Sequence, residues 1–359
     1  MLCTIIRTSG STPASAFSKM LVKQRGTSAL GTVGGGCMEA DVLQAAKKLY
    51  AENRAAILTF HLNEDEYVQG LICGGSLDVL IEPIDGTMAP LFEQLRKRCE
   101  EGEDSVVATL LADDGRIIFK HLVNSEDTTR INGMLDEWSS RAGITPPLHH
   151  STTPALRVDL SEELRKAFHR HETRRIKVEA GELLLEPIAG TPGLIIFGGG
   201  HVSKFIARTA AMAGFRVTVV DDRPEYANAH RFPEAAKTLA VEATQAFNEL
   251  RISSSTYIVI VTRGHRHDEE ILERAVQTAA KYIGMIGSKR KVLTTYEHLI
   301  ERGISHDQLS RVHAPLGIEI GAATLEEIGI SVVGELIAVR RGQEGVVMHK
   351  SEAMKKNEE

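Results

Sequence analysis

The sequence predicts an α/β protein in two parts, a C-terminal doubly wound parallel sheet preceded by an N-terminal mixed α+β domain. Three observations carry that expectation. Beyond residue 193 the apolar runs LIIFG, RVTVV, YIVIV and YIGMIG alternate with segments of helical period, among them Ile271, Leu272, Ala275, Val276 and Ala279. Buried β-branched runs between amphipathic helices mean a parallel sheet covered on both faces. Before residue 85, short strands surround one clear amphipathic helix. Between the two patterns Gly190 and Gly193 bracket Thr191-Pro192, the composition of a hinge.

Taken in order, MLCTIIRT is an apolar strand, and KMLVK and GTVGGG supply further strand and turn. MEADVLQAAKKLY places Val42, Ala45, Ala46 and Leu49 on one helical face, and LDVLIEP is a strand ending near Pro83. From 86 to 190 the pattern weakens to a helix at 89–101, a hairpin at Asp113-Asp114-Gly115 and a connecting stretch rich in Pro and His, RAGITPPLHHSTTPALRV. ELLLEPIAGTPGLIIFGGG resumes order. The boundaries that follow are 1–189 for the first domain, with 86–189 as a variable middle segment, 190–345 for the second, and 346–359 as a disordered tail.

Composition narrows the function. The 359 residues are 42% hydrophobic and 25% charged, enough for two domains with separate cores. A net charge of -6 without a basic stripe removes the footprint that holds a nucleic-acid backbone. No apolar run approaches the roughly 20 residues that cross a bilayer, and the N-terminus lacks a secretory signal, so no membrane partner and a cytoplasmic location are expected. The four cysteines, at 3, 37, 73 and 99, form no CxxC pair and read as free thiols.

Strand LIIF runs into GGGHVS and then into a helical pattern through Phe205, Ile206, Met212 and Ala213, the strand, turn and helix of a Rossmann-like glycine fingerprint. Gly198 suits the tight turn and Gly200 leaves room for a phosphate at the helix N-terminus, while Ser203 replaces the third glycine. The next strand ends in Asp221, 23 positions after Gly198, where an acid hydrogen-bonds a ribose and a 2′-phosphate is disfavoured. NAD(P) is therefore one cofactor to consider, and an NAD(P)-dependent oxidoreductase with His265 or His313 as acid or base is one function. A tight turn that has lost its ligand is the other reading.

Further points favour anions or acid–base work. After YIGMIG, Ser288 caps a helix whose first turn carries Lys289, Arg290 and Lys291, cations that oppose the helix dipole unless an anion binds nearby or they simply solvate the surface. His265, His267 and Asp268 follow YIVIV at the carboxyl edge of the sheet, with Asp268 also suited to N-cap duty and His265 preceding the helix. His313 and Glu319 surround Pro315 and Gly317 ahead of a helix capped by Thr324.

Cys37 follows three glycines and Cys73 precedes two, and such backbone leaves N–H donors open that favour a thiolate. Each is either a buried, inert thiol or a site residue. Cys3, in an apolar strand, and Cys99, on an amphipathic helix, read as structural, and RTSGSTP forms a hydroxyl-rich loop.

RTSGSTP, GGGCMEADV and CGGSLDVLIEP, then FGGGHVSKFIARTAAMAGFRVTVVDDRPEYAN, TRGH, DEEIL, YIGMIGSKRK, HAPLGIEIGAATLEEI and GELIAVRRG, together resemble the xanthine dehydrogenase accessory factor family, XdhC/CoxI. The likeness covers roughly 4–85 and 193–342. It implies a cofactor chaperone rather than a free-standing catalyst, one that binds molybdenum cofactor (molybdopterin), assists its sulfuration by a cysteine desulfurase and delivers it to apo-xanthine dehydrogenase or a related molybdenum hydroxylase, as a homodimer.

Carried over as catalytic are Cys37, Cys73 and His265, with both cysteines as metal ligands or persulfide carriers. Carried over as cofactor-binding are Gly35, Gly36, Gly74, Gly75, Gly198, Gly199, Gly200, His201, Asp221, Asp268, Gly287, Ser288, Lys289 and His313. The two domains would close around the ligand. Departures are a start inside a strand without a preceding helix, Ala14 where a basic residue is usual, and Ser203 in the fingerprint. The change at position 14 removes one phosphate contact.

Overall fold

The computed structural model describes residues 1–10, 12, 16–23, 28–61, 75–124, 160–170, 172–178, 181–262 and 265–343. The chain divides into two compact units, Met1–Ala189 and Gly190–Glu359.

The first unit holds two antiparallel sheets. In one, β1 (Leu2–Ser9), β2 (Lys19–Lys23), β3 (Ser28–Gly31), β4 (Ala56–His61) and β5 (Ser76–Glu82) lie in the order β3-β2-β1-β5-β4, and α1 (Gly36–Glu52) packs on one face. The period-2 rule sorts β5 cleanly. Leu77, Val79 and Ile81 join Cys3, Ile5, Val42 and Ala46 in the core beneath α1, whereas Asp78, Leu80 and Glu82 point the other way.

Helix α2 (Ala89–Glu100) leads to the second sheet, where β6 (Ser105–Leu111), β7 (Ile117–Val123), β8 (Arg174–Val178) and β9 (Gly181–Ile188) lie in the order β7-β6-β9-β8. Helix α3 (Leu160–Arg170) covers its outer face through Leu160, Leu164 and Ala167. The inner faces of the two sheets meet around Ile6, Leu80 and Leu184. Charge crosses the same interface, because Lys120 donates to both oxygens of Glu82 at 2.9 Å and to Thr109 at 2.8 Å, Lys19 pairs with Glu186, and Arg175 reaches Asp78 at 3.0 Å. Within 86–189, the helix expected at 89–101 and the hairpin at Asp113-Asp114-Gly115 are present as α2 and the β6–β7 turn. Four strands there form the partner layer of the first sheet.

In the second unit, β10 (Gly193–Phe197), β11 (Arg216–Asp221), β12 (Lys237–Ala240), β13 (Thr256–Ile260), β14 (Tyr282–Met285) and β15 (Val312–His313) form a wholly parallel sheet in the order β12-β11-β10-β13-β14-β15. The order reverses between β10 and β13, the switch point at which open parallel sheets take ligands. Helices α4 (His201–Met212) and α9 (Leu325–Arg340) cover one face. Helices α5 (Ala243–Glu249), α6 (His265–Ala275), α7 (Lys289–Glu301) and the short α8 (His306–Ser310) cover the other. The doubly wound sheet is as expected. No helix among the described residues is long and apolar enough to cross a membrane.

Candidate functional site

The glycine turn sits at the carboxyl end of β10, whose Leu194, Ile195, Ile196 and Phe197 are buried. Its three glycines have different reasons to be there. Gly198 has φ +105, and a Cβ would stand 2.6 Å from the Val261 carbonyl oxygen. A Cβ on Gly199 would stand 2.1 Å from the Tyr226 carbonyl oxygen. Packing therefore demands both. Among the described residues nothing lies within 4 Å of a Cβ added to Gly200, so they leave this position open. Gly200 is the N-cap of α4, no side chain among the described residues caps the helix, and the exposed His201 opens it. Uncapped N–H groups at a helix start attract anions. Ser203 is fully buried and donates to the Gly198 carbonyl, which explains why a small hydroxyl residue serves where the fingerprint has glycine.

Asp221 ends β11 with its side chain 4% exposed. Oδ2 accepts the Gly199 N–H at 2.7 Å and Arg223 Nη2 at 2.9 Å, and Oδ1 accepts Arg223 Nε at 2.8 Å. Burial pushes this carboxyl upward, but the Arg223 and Gly199 hydrogen bonds outweigh it and hold the pKa below the ordinary aspartate value. Arg223 also lies 3.7 Å over the Tyr226 ring, and Arg231 Nε donates to the Gly199 carbonyl at 2.9 Å.

Beside the turn a cleft of about 230 Å³ has an apolar floor that includes Phe197, Val220 and Ile271, and a rim that includes Asp222, Glu242, Thr262 and His267. Carboxylates on that rim favour hydroxyl or amine donors over a phosphate. The anion-friendly point is Gly200.

The remaining edge residues are braced together. Ser288 is the N-cap of α7, as expected, and accepts the Lys291 N–H at 3.3 Å. The basic run is split, with Lys289 and Arg290 exposed and Lys291 turned onto Asp268. Gly287 makes room for that Lys291 stem, since a Cβ there would lie 2.9 Å from Lys291 Cδ. Asp268 is fully buried, holds Lys291 and Thr262, and lies inside the first turn of α6. The N-cap role considered for it is corrected, because the helix begins three residues earlier at His265. That same start corrects the expectation that His265 precedes the helix, and its side chain lies outside the described atoms. His313 closes β15, with Nδ1 3.0 Å from Glu335 Oε1.

In the first unit Gly34, Gly35 and Gly36 all have positive φ (126, 72 and 63), a backbone run glycine adopts readily. The Gly35 N–H donates to Glu39, which also accepts from Thr32. Cys37 is the second residue of α1, and its thiol lies outside the described atoms. Cys73 and Gly74 lie outside the described residues, and Gly75 is buried just before β5. Cys3 is fully buried, its thiol pushed up to about 12 by desolvation, and Cys99 is half-buried. Among the described residues no group of three or more His, Cys, Asp or Glu could hold a metal ion.

Sequence reasoning missed Arg223, Tyr226, Arg231 and Glu335. For Glu335 a signal existed, a single acid inside the apolar run ISVVGELIAV.

Comparison with known proteins agrees with this fold. A model of the XdhC Rossmann domain matches residues 194–336, and a model of the XdhC and CoxI family matches residues 1–61. A protein of Bacillus subtilis described as a probable xanthine dehydrogenase subunit is 26% identical over 346 residues, 95% of this chain and 93% of its own. The uncharacterized protein YqeB of Escherichia coli is 35% identical over 160 residues, 44% of this chain and 29% of its own length. The molybdenum cofactor insertion chaperone PaoD of Escherichia coli is 24% identical over 151 residues, 42% of this chain and 41% of PaoD. A crystal structure of a xanthine dehydrogenase from Bacillus halodurans shares the fold, with a TM-score of 0.70 and 24% identity across 95% of this chain and 91% of that one. The two family models match the first strands of the chain and its parallel-sheet unit in turn, and the chain belongs to the XdhC/CoxI family.

Proposed function

We propose that the chain binds molybdenum cofactor as cargo, assists its sulfuration with a cysteine desulfurase, and passes it to a xanthine dehydrogenase or related molybdenum hydroxylase. The names of two relatives, one a molybdenum cofactor insertion chaperone and one a probable xanthine dehydrogenase component, support that reading. The observation that carries it is Gly200, the one glycine of the turn that packing does not demand. An open position at an uncapped helix start suits the phosphate of a phosphorylated pterin. Cys37 and Cys73 are assigned to the sulfur chemistry, as ligands to a thiophilic metal or as persulfide carriers. His201, Lys289 and His265 are assigned polar contacts with the cargo, and the active assembly is a homodimer.

A dinucleotide redox role has less support, because Asp221 would have to receive a ribose hydroxyl while its oxygens already hold Arg223 and Gly199. Native mass spectrometry of protein made in a host that synthesises molybdenum cofactor tests the proposal. The cofactor mass should accompany the wild type and be lost from Cys37→Ala and Cys73→Ala. Full retention in both variants removes the thiols from the mechanism, and a wild type that carries no cofactor mass removes the cargo itself.

A further inference from the structure

One carboxylate in the second unit takes no part in the glycine turn. Glu335 is 1% exposed in the middle of α9, among the core residues Val332, Val333, Leu336 and Val339. Burying a carboxylate is costly unless it is hydrogen-bonded. Both of its oxygens are used, Oε1 facing His313 Nδ1 at 3.0 Å and Oε2 accepting the Gly317 N–H. Tyr282 lies against the imidazole face, its ring centroid 4.4 Å away. Gly284, the partner of His313 across β14 and β15, makes that contact possible, since a Cβ there would come within 2.6 Å of the Tyr282 hydroxyl oxygen.

The imidazole is thus held at one nitrogen and one face. Its side chain keeps 20% of its surface, and Nε2 is the nitrogen left without a bond to the carboxylate. Burial, and next the Glu335 charge, keep the Tyr282 phenol protonated by raising its pKa far above the usual value, so the ring stays neutral beside His313.

We propose that Glu335 and Tyr282 are positioning residues that fix His313 with its proton on Nδ1 and present the Nε2 lone pair to an N–H or O–H donor of the cargo. The carboxylate can only accept, so the shared proton resides on the ring nitrogen facing it. This rests on the cofactor-cargo reading for the identity of the donor, but not for the tautomer. A purely structural Glu335, tying the loop at Gly317 to α9, would set the same tautomer but leave cofactor retention unchanged when His313 is replaced.

Long-range 1H–15N spectra of the full chain labelled at histidine read the tautomer directly, with the His313 signal assigned by its loss in His313→Asn. Above the imidazole titration the wild type should show Nδ1 protonated and Nε2 bare. In Glu335→Gln, whose amide can donate to Nδ1, the proton should move to Nε2, with cofactor retention reduced about tenfold, as outer-shell changes typically do. A wild-type spectrum with Nε2 protonated overturns the proposal with no variant needed, even if Glu335→Gln fails to fold. The expected tautomer together with full cofactor retention in His313→Asn also overturns it. Loss of retention in Gly200→Ala alone would then leave the chaperone reading standing without His313.

Discussion

The Asp221 carboxylate accepts the Gly199 N–H at 2.7 Å, so the end of β11 fastens the glycine turn that follows the neighbouring strand β10. Asp221→Asn removes the charge from this bond and from the Arg223 pair. The loss should be about 1–3 kcal/mol, the penalty for weakening a buried charge-assisted bond, visible as a lower midpoint in urea.

The same group sets an acid limit. Its folded pKa lies below the unfolded value, so its contribution is present above the unfolded pKa, about 3.9, and is lost as pH falls through the folded one. Urea midpoints taken from neutral pH down through this range should fall more steeply for the wild type than for Asp221→Asn. Parallel curves would show that the pair is not coupled to folding.

Gly199→Ala and Gly200→Ala should part company. The first forces a Cβ to 2.1 Å from backbone and should cost at least the roughly 1–3 kcal/mol of an overpacked site. The second meets open space, so its thermal midpoint should stay near wild type while cofactor retention falls. Equal destabilisation by both substitutions would contradict the division of labour within the turn.

Asp268 and Lys291 brace α6 against α7 with side chains 0% and 15% exposed. Lys291→Met strands the buried carboxylate and should cost about 3–5 kcal/mol. Pairing it with Asp268→Leu should recover much of that loss, as chemical denaturation of both variants can show.

Cys3 should resist alkylation. A fully buried thiol pushed up to about 12 has almost no thiolate at neutral pH. Peptide mapping after iodoacetamide treatment should find Cys3 unmodified in the native protein and modified in urea, whereas equal labelling in both states would mean that β1 opens readily.

The parallel sheet was legible because each of β10, β11 and β13 is a buried apolar run, which lies on the surface of the sequence as plain composition. Strand β15 was not legible, since two residues, Val312 and His313, carry no periodicity. The sheet containing β6 and β9 was missed for a different reason. The β6–β7 hairpin shows in Asp113-Asp114-Gly115, but Leu110 pairs with Leu183 far along the chain, and no local signal announces so distant a partner. Residue spacing did anticipate the tight turn at Gly198, the strand end at Asp221 and the helix cap at Ser288. It did not show that Arg223 would occupy Asp221, nor that Lys291 would turn inward, because a side chain's partner is decided by packing rather than by neighbours in sequence.

The Lys120–Glu82 pair, with side chains 4% and 1% exposed, carries a consequence for how the first unit tolerates change. Replacing Lys120 with methionine while β6 and β7 stay in place would strand Glu82 without its counter-ion in the dry layer between the sheets. Sliding one sheet over the other by a single pleat would misplace that pair, Lys19–Glu186 and Arg175–Asp78 at once. The alignment of the two layers is therefore keyed by electrostatics as well as by apolar packing.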